Sequence, residues 1–185
     1  MIKTLLLRLH EYMENPDPLA NAAGIVAIVV AVNQPFYPLY LHAIVGGAAW
    51  PAWLTLLSTP FFLMVPAVAR RNSLLGRAIL PIAGVANTVL CVKLFGVASA
   101  VELFLLPCVL LGVILFRPRE RATMVLVLTL PFAAYLVLDW NLGPPMQVFR
   151  LSEYNSIIIV HAISVAALTA LVGLLFAAIL AERKL

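Results

Sequence analysis

From residue 18 onward the chain reads as six long apolar runs separated by short polar gaps, and the first 17 residues have a different rhythm. There, apolar side chains recur at helical spacing: Ile2, Leu5, Leu6, Leu9 and Met13 share one face, with Lys3, Arg8, Glu11 and Glu14 elsewhere. That pattern predicts an amphipathic helix lying at a membrane surface. Asn15-Pro16-Asp17-Pro18 should end it, because a residue before proline avoids helical dihedrals and proline favours the first turn of a following helix.

The six runs cover about 18–40, 47–69, 76–96, 98–116, 122–140 and 155–181. A hydrocarbon layer of ~30 Å is crossed by about 20 helical residues. The predicted fold is therefore all-α: an integral membrane bundle of six transmembrane helices over residues 18–185, preceded by the interfacial helix of residues 1–17. The first run contains Asn33-Gln34-Pro35-Phe36-Tyr37-Pro38, where each proline removes a backbone hydrogen bond. A kink or unwound segment there is tolerable at membrane depth only if it faces protein or water. Trp50 and Trp53 open the second run, where an aromatic belt is expected. The gap from Asn141 to Tyr154, with Gly143-Pro144-Pro145, is long enough for either a plain connection or a lid. The runs share no internal repeat.

Composition agrees with the pattern. Hydrophobic residues make up 64% and charged residues 11%, against roughly 45–50% apolar in soluble domains, and mean hydropathy is +1.07. The net charge of +4 does not call for nucleic acid, because the basic residues gather in gaps at the ends of the runs. Lys3, Arg8, Arg70, Arg71, Arg77, Arg117, Arg119, Arg121, Arg183 and Lys184 fall on one side, leaving Lys93 and Arg150 for the other. Cytoplasmic gaps collect Lys and Arg, so the chain is expected in a bacterial inner membrane with both termini on the cytoplasmic side. Leu5 to Leu9 is too short for a signal peptide, and the first span should act as an uncleaved anchor. Cys91 and Cys108 lie within runs, with no CxxC, and read as small apolar packing residues.

Polar groups at membrane depth are costly and often mark function. Asn33, Gln34 and His42 belong to the first run or its outer end, Asn87 and Lys93 to the third, Glu102 to the fourth, Asp139 to the fifth and His161 to the sixth. All but Asn87 fall in the outer half, which predicts a polar chamber near the outer face. Lys93 and Glu102 are equally distant from the turn at Val97-Ala98, so they are expected to pair across a hairpin, either as a plain salt bridge or with one partner released to a ligand. His161 shares a face with Tyr154 and Leu168, with Ser164 beside them. Three roles stand open for it: a hydrogen bond to another helix, a contact to a polar ligand headgroup, or axial ligation of haem b together with His42. Asp139 beside Trp140 reads as an interfacial end residue. There is no HExxH, GxSxG or Gly-rich phosphate loop, so enzymatic activity is not expected. Asn87 and Cys91 share a face, but with no nearby His they read as packing rather than as a nucleophile. Proton-coupled or other transport is an alternative, set against the missing inverted repeat.

A resemblance adds to these readings. His10-Glu11-Tyr12-Met13-Glu14-Asn15-Pro16, followed by an apolar span ending Pro35-Phe36-Tyr37, resembles the start of the six-span sensor domains of α-hydroxyketone quorum-sensing histidine kinases. Asn87 through Gly96-Val97-Ala98-Ser99 to Pro107 and Arg117-Pro118-Arg119-Glu120-Arg121 is similar to the six-span anchors of bacterial class III adenylyl cyclases and diguanylate cyclases. Leu174 to Leu185 resembles the place where such proteins begin a cytoplasmic signalling helix. The resemblance implies a receptor, as a homodimer, that binds a small, largely apolar or amphiphilic ligand and passes a displacement through its last helix to a cytoplasmic output domain or partner. No kinase, cyclase or GGDEF sequence occurs among the 185 residues. The residues expected to meet a ligand are His161, Asn87, Asn33, Gln34, Lys93, Glu102 and Tyr154, with no resident cofactor unless His42 and His161 hold haem.

Overall fold

The computed structural model describes residues 2–182, with side chains for 7–138 and 142–181. Asp139, Lys3, Arg183, Lys184 and the apolar positions Ile2, Leu5 and Leu6 lie outside those described side chains. The described residues form helices and connections without a strand: α1 Ile2–Met13, α2 Pro18–Asn33, α3 Phe36–Val45, α4 Thr59–Arg71, α5 Ser73–Phe95, α6 Leu105–Ile114, α7 Arg121–Asn141 and α8 Leu151–Glu182. Turns of 3₁₀ helix occupy Gly46–Ser58, Val97–Ser99, Val101–Phe104 and Pro118–Glu120. Four stretches are long and apolar enough to cross a membrane, namely Phe36–Arg71, Ser73–Phe95, Pro118–Leu138 and Leu151–Ala181, while Pro18–Asn33 and Val101–Ile114 are shorter apolar helices. This is the composition and architecture of a membrane protein.

The run expected at 18–40 is broken at Gln34-Pro35. Pro35 has no N–H to continue the ladder, Tyr37 N–H turns to the Gln34 carbonyl at 3.2 Å, and a new helix runs on to Val45. Gly46, at φ +63°, then turns the chain, and α3 packs back on Gly46–Ser58. The run expected at 98–116 becomes α-helical only at Leu105. Ahead of it, Gly96 has φ +77° and Ala100 is left-handed at φ +55°, which splits the start into two short 3₁₀ turns. The last helix begins at Leu151 rather than 155, where Glu153 Oε2 accepts the Arg150 N–H at 2.7 Å.

Each end of the bundle is locked differently. At the basic end Arg77 is only 1% exposed. Its guanidinium donates to both Glu120 oxygens at 2.7 and 2.8 Å, to the Leu115 carbonyl, and to the Ser73 carbonyl and hydroxyl at 3.2 and 3.1 Å. Arg117 donates to Asp17 at 2.8 Å, and Ser73 also donates to Asp17. Asp17 in turn caps α2, accepting from Leu19 N–H at 3.1 Å. One ionic cluster thus ties together the starts of α2 and α5 and the link between α6 and α7. Hydrogen bonding from Arg77 brings the Glu120 carboxyl down to about 2. Partial burial raises that of Asp17, but the Ser73 and Leu19 hydrogen bonds and the charges of Arg117 and Arg77 outweigh it and hold the group below its usual range.

At the opposite end, loop 142–150 satisfies the last carbonyls of α5. Met146 and Gln147 N–H groups donate to Lys93 and Leu94 at 2.9 and 3.0 Å, and the Tyr154 hydroxyl donates to Phe95 at 3.1 Å. Phe149 packs between Phe95 and Tyr154. Small residues allow the helices to close up. A Cβ at Gly76 would stand 2.5 Å from the Ala69 backbone, and one at Gly84 would stand 2.7 Å from the Cys108 sulfur. α1 reaches the bundle through Tyr12, whose hydroxyl donates to the Leu63 carbonyl at 2.6 Å while Arg70 lies over its ring.

Candidate functional site

Between these two ends lies a cavity of about 430 Å³. Its walls come from α2, α3, α4, α5, α6 and α8, and the character of the lining changes along its length. Toward the basic end it is hydrocarbon: Val26, Phe62, Leu80, Leu111 and Leu171. Toward the opposite end it carries Asn33, Tyr37, Asn87 and Thr88, with Ser164 on α8. A second void of about 80 Å³ adjoins that polar end, sharing Asn33, Tyr37, Asn87 and Phe104 and reaching Gln34, Thr55 and Cys91.

The break at Gln34-Pro35 positions the polar end. Gln34, 6% exposed, donates from Nε2 to the Ser58 hydroxyl at 2.7 Å, and that oxygen lies 2.8 Å from Asn87 Oδ1 and 2.7 Å from the Thr55 carbonyl. Thr59 donates to Gln34 Oε1 at 3.4 Å. The two amides and three hydroxyl residues thus bind α2 to the second run and to α5. Asn87 also lines both the cavity and the adjoining void. The Asn33 side chain makes no hydrogen bond to another described residue, although it sits at the end of an apolar helix.

His161 is fully buried just behind this lining. Its Nδ1 lies 2.7 Å from the Ser99 carbonyl, which can only accept, so that nitrogen carries a proton. In the neutral ring Nε2 then accepts the Tyr37 hydroxyl at 2.8 Å. Tyr37 stacks on the imidazole and Phe104 meets it edge-on, and both of these rings also line the cavity. The left-handed Ala100 follows the residue that supplies the carbonyl. His161 therefore fastens α8 to α3 and to the turn before α6, with the cavity lining as its immediate neighbour.

Of the residues expected at the site, Asn33 and Asn87 line the main cavity, Gln34 lines the adjoining void, and His161 lies one contact away through Tyr37. Tyr154, on the same inward face of α8, is used in capping α5. Lys93 turns to loop 142–150, donating to the Leu142 and Pro144 carbonyls, both at 2.8 Å, as a cation at a helix C-terminus does. Glu102 is half-buried in the short turn Val101–Phe104, and neither it nor Lys93 is among the cavity-lining residues. Ser164 was already placed beside His161 by its helical spacing, whereas Tyr37 and Ser58 were not legible as site residues. A tyrosine after a proline break and a serine inside an apolar run carry no distinctive spacing.

The arrangement does not fit haem. His42 is exposed on α3, about 140° around the helix from Tyr37, and both nitrogens of His161 are already hydrogen-bonded. Among the described residues no three His, Cys, Asp or Glu side chains gather as a metal site. The cysteines are buried free thiols. No protein-family model matches the chain, and no curated protein or solved structure is significantly similar to it.

Proposed function

We propose that the chain is a six-span membrane receptor domain that holds a small, largely apolar ligand in this cavity and signals through α8. The observation that carries the reading is the junction of cavity and latch. Tyr37 and Phe104 form part of the cavity wall and are also the two rings against His161, the buried residue that fixes α8. A ligand that displaces either ring changes how tightly α8 is held, so it favours one of two helix arrangements through its differential affinity for them. The volume lies within the range of about 300–1,000 Å³ usual for small-molecule pockets. Both termini are placed on the cytoplasmic side, with the output domain or partner there and a second copy of the chain beside it.

Spin labels at Leu75 and Leu180, exposed positions toward the basic ends of α5 and α8, test the reading. A ligand added to protein in nanodiscs should change the label separation, and His161→Ala should abolish the change while leaving a measurable binding signal. An unchanged separation at saturating ligand would refute transmission through α8.

A further inference from the structure

We infer that loop 142–150 is a strap that sets the strength of the α8 latch through a ladder of aromatic rings, which gives the receptor a second input at its outer end. The inference rests on the receptor reading and names a regulation of its latch. Six rings run in a continuous series from the strap to the latch. The centroids of Tyr154 and Phe149 are 5.5 Å apart, those of Phe149 and Phe95 6.1 Å, Phe95 and Tyr37 6.1 Å, Tyr37 and His161 5.8 Å, and His161 and Phe104 5.9 Å. Each separation lies within the ~4.5–7 Å of paired aromatic rings. Phe95 joins the two halves of the series. It is fully buried, packs on both Phe149 and Tyr37, and offers its carbonyl to the Tyr154 hydroxyl.

The strap is held to the end of α5 in both directions. Met146 and Gln147 donate their N–H groups to the Lys93 and Leu94 carbonyls, and the Lys93 ammonium donates back to the Leu142 and Pro144 carbonyls. A Cβ at Gly96 would stand 3.2 Å from the Pro145 ring, so the strap lies directly on the turn that ends α5. Phe149 is the buried ring that the strap inserts, whereas Gly143, Pro144, Met146, Val148 and Arg150 are exposed. Lifting the strap withdraws Phe149 from Phe95. In a close-packed interior the Phe95 ring then shifts into the space, Tyr37 loses its edge contact, and the Tyr37–His161 hydrogen bond weakens. Strap seating and latch are thereby joined by a contiguous network of packed side chains. A contact made on the exposed face of the strap reaches α8 by this route without entering the cavity.

The test uses the whole protein in phosphatidylcholine nanodiscs with isotope-labelled histidine, the His161 ring resonances being assigned by their absence from a His161→Gln variant. Phe149→Leu should speed amide hydrogen exchange at Met146 and Gln147 about tenfold, and should move the His161 Nε2 resonance toward that of an imidazole with no donor on that nitrogen. Phe95→Leu should move the same resonance, and adding Phe149→Leu should shift it little further, because both changes cut one series. Additive shifts would mean that the strap reaches α8 through the backbone instead, and overturn the ladder. Lys93→Met frees the strap by a second route if Phe149→Leu does not fold. Faster strap exchange with an unmoved His161 resonance overturns the coupling, and strap amides that exchange no faster in either variant overturn the strap. Met146→Ser and Val148→Ser, on the exposed face, should leave the resonance in place, and a shift as large in these variants as in Phe149→Leu also overturns the ring route. Neither readout needs a ligand. A failed ligand response of the spin labels therefore removes the receptor reading alone, and an unmoved His161 resonance removes this coupling alone.

Discussion

Arg77 shows how one residue type can carry two meanings. In the sequence it is one of three arginines around a polar gap and marks which end faces the cytoplasm. In the structure it is almost fully buried, and its guanidinium spans Glu120, Leu115 and Ser73. Arg77→Ala takes the guanidinium from the half-buried Glu120, leaving it only the Arg117 N–H, and should cost about 3–5 kcal/mol, whereas Arg71→Ala, at an exposed position, should cost less than about 0.5 kcal/mol in chemical unfolding from mixed micelles. The same cluster sets an acid limit. Glu120 has a folded-state value near 2 against an ordinary 4.5, so its contribution is complete above about 4.5 and is lost as pH falls toward 2. Melting temperature should therefore fall across that window, and Glu120→Gln should flatten the part of the slope due to this group. Ala100 offers the opposite test. A left-handed alanine costs about 1–2 kcal/mol, so Ala100→Gly should match or exceed the parent in stability if the conformation serves only to aim Ser99 at His161.

The helical elements were largely readable from hydrophobic run length, and their breaks were less so. Pro35 announced one break, because a missing N–H is visible in the letters. The 3₁₀ character of Gly46–Ser58 and the late start of α6 depend on tertiary contacts that no local pattern encodes. His161, Asn33, Asn87 and Gln34 were legible as costly polar groups at depth. Arg77 was readable as one of the basic residues at that end, but its burial was not, because a bidentate partner 43 positions away leaves no local trace. Packing between elements makes a sharper prediction. A Cβ at Gly76 would meet Ala69 backbone at 2.5 Å, and neither α4 nor α5 can yield a backbone atom, so Gly76→Ala should destabilise by about 1–3 kcal/mol. Gly173 has nothing within 4 Å, and Gly173→Ala should be neutral or stabilising by up to about 1 kcal/mol through helix propensity. A comparable loss at both sites would mean that the α4–α5 contact is looser than the structure shows.

At the scale of the whole molecule, run length and turns bear on how often the chain crosses the membrane. Phe36–Arg71 is 36 residues long, and even as pure α-helix it would measure about 54 Å, nearly twice a hydrocarbon layer of ~30 Å. A single crossing would strand apolar helix in water or place Gly46-Gly47 at mid-depth. The positive φ of Gly46 and the packing of α3 on the stretch after it favour a return at that point, so that Pro18–Val45 rises and Gly46–Arg71 descends. The counterpart on the other side is α6, ten residues long but extended by the two short turns before it. Six crossings and four differ in one accessible place. With the native thiols buried, Gly47→Cys should react with a membrane-impermeant maleimide added to intact cells, as Val148→Cys should, while Arg119→Cys should react only after permeabilisation. A Gly47→Cys thiol that stays unreactive under both conditions, beside a reactive Val148→Cys, would place it within the bilayer. The chain would then make fewer than six crossings.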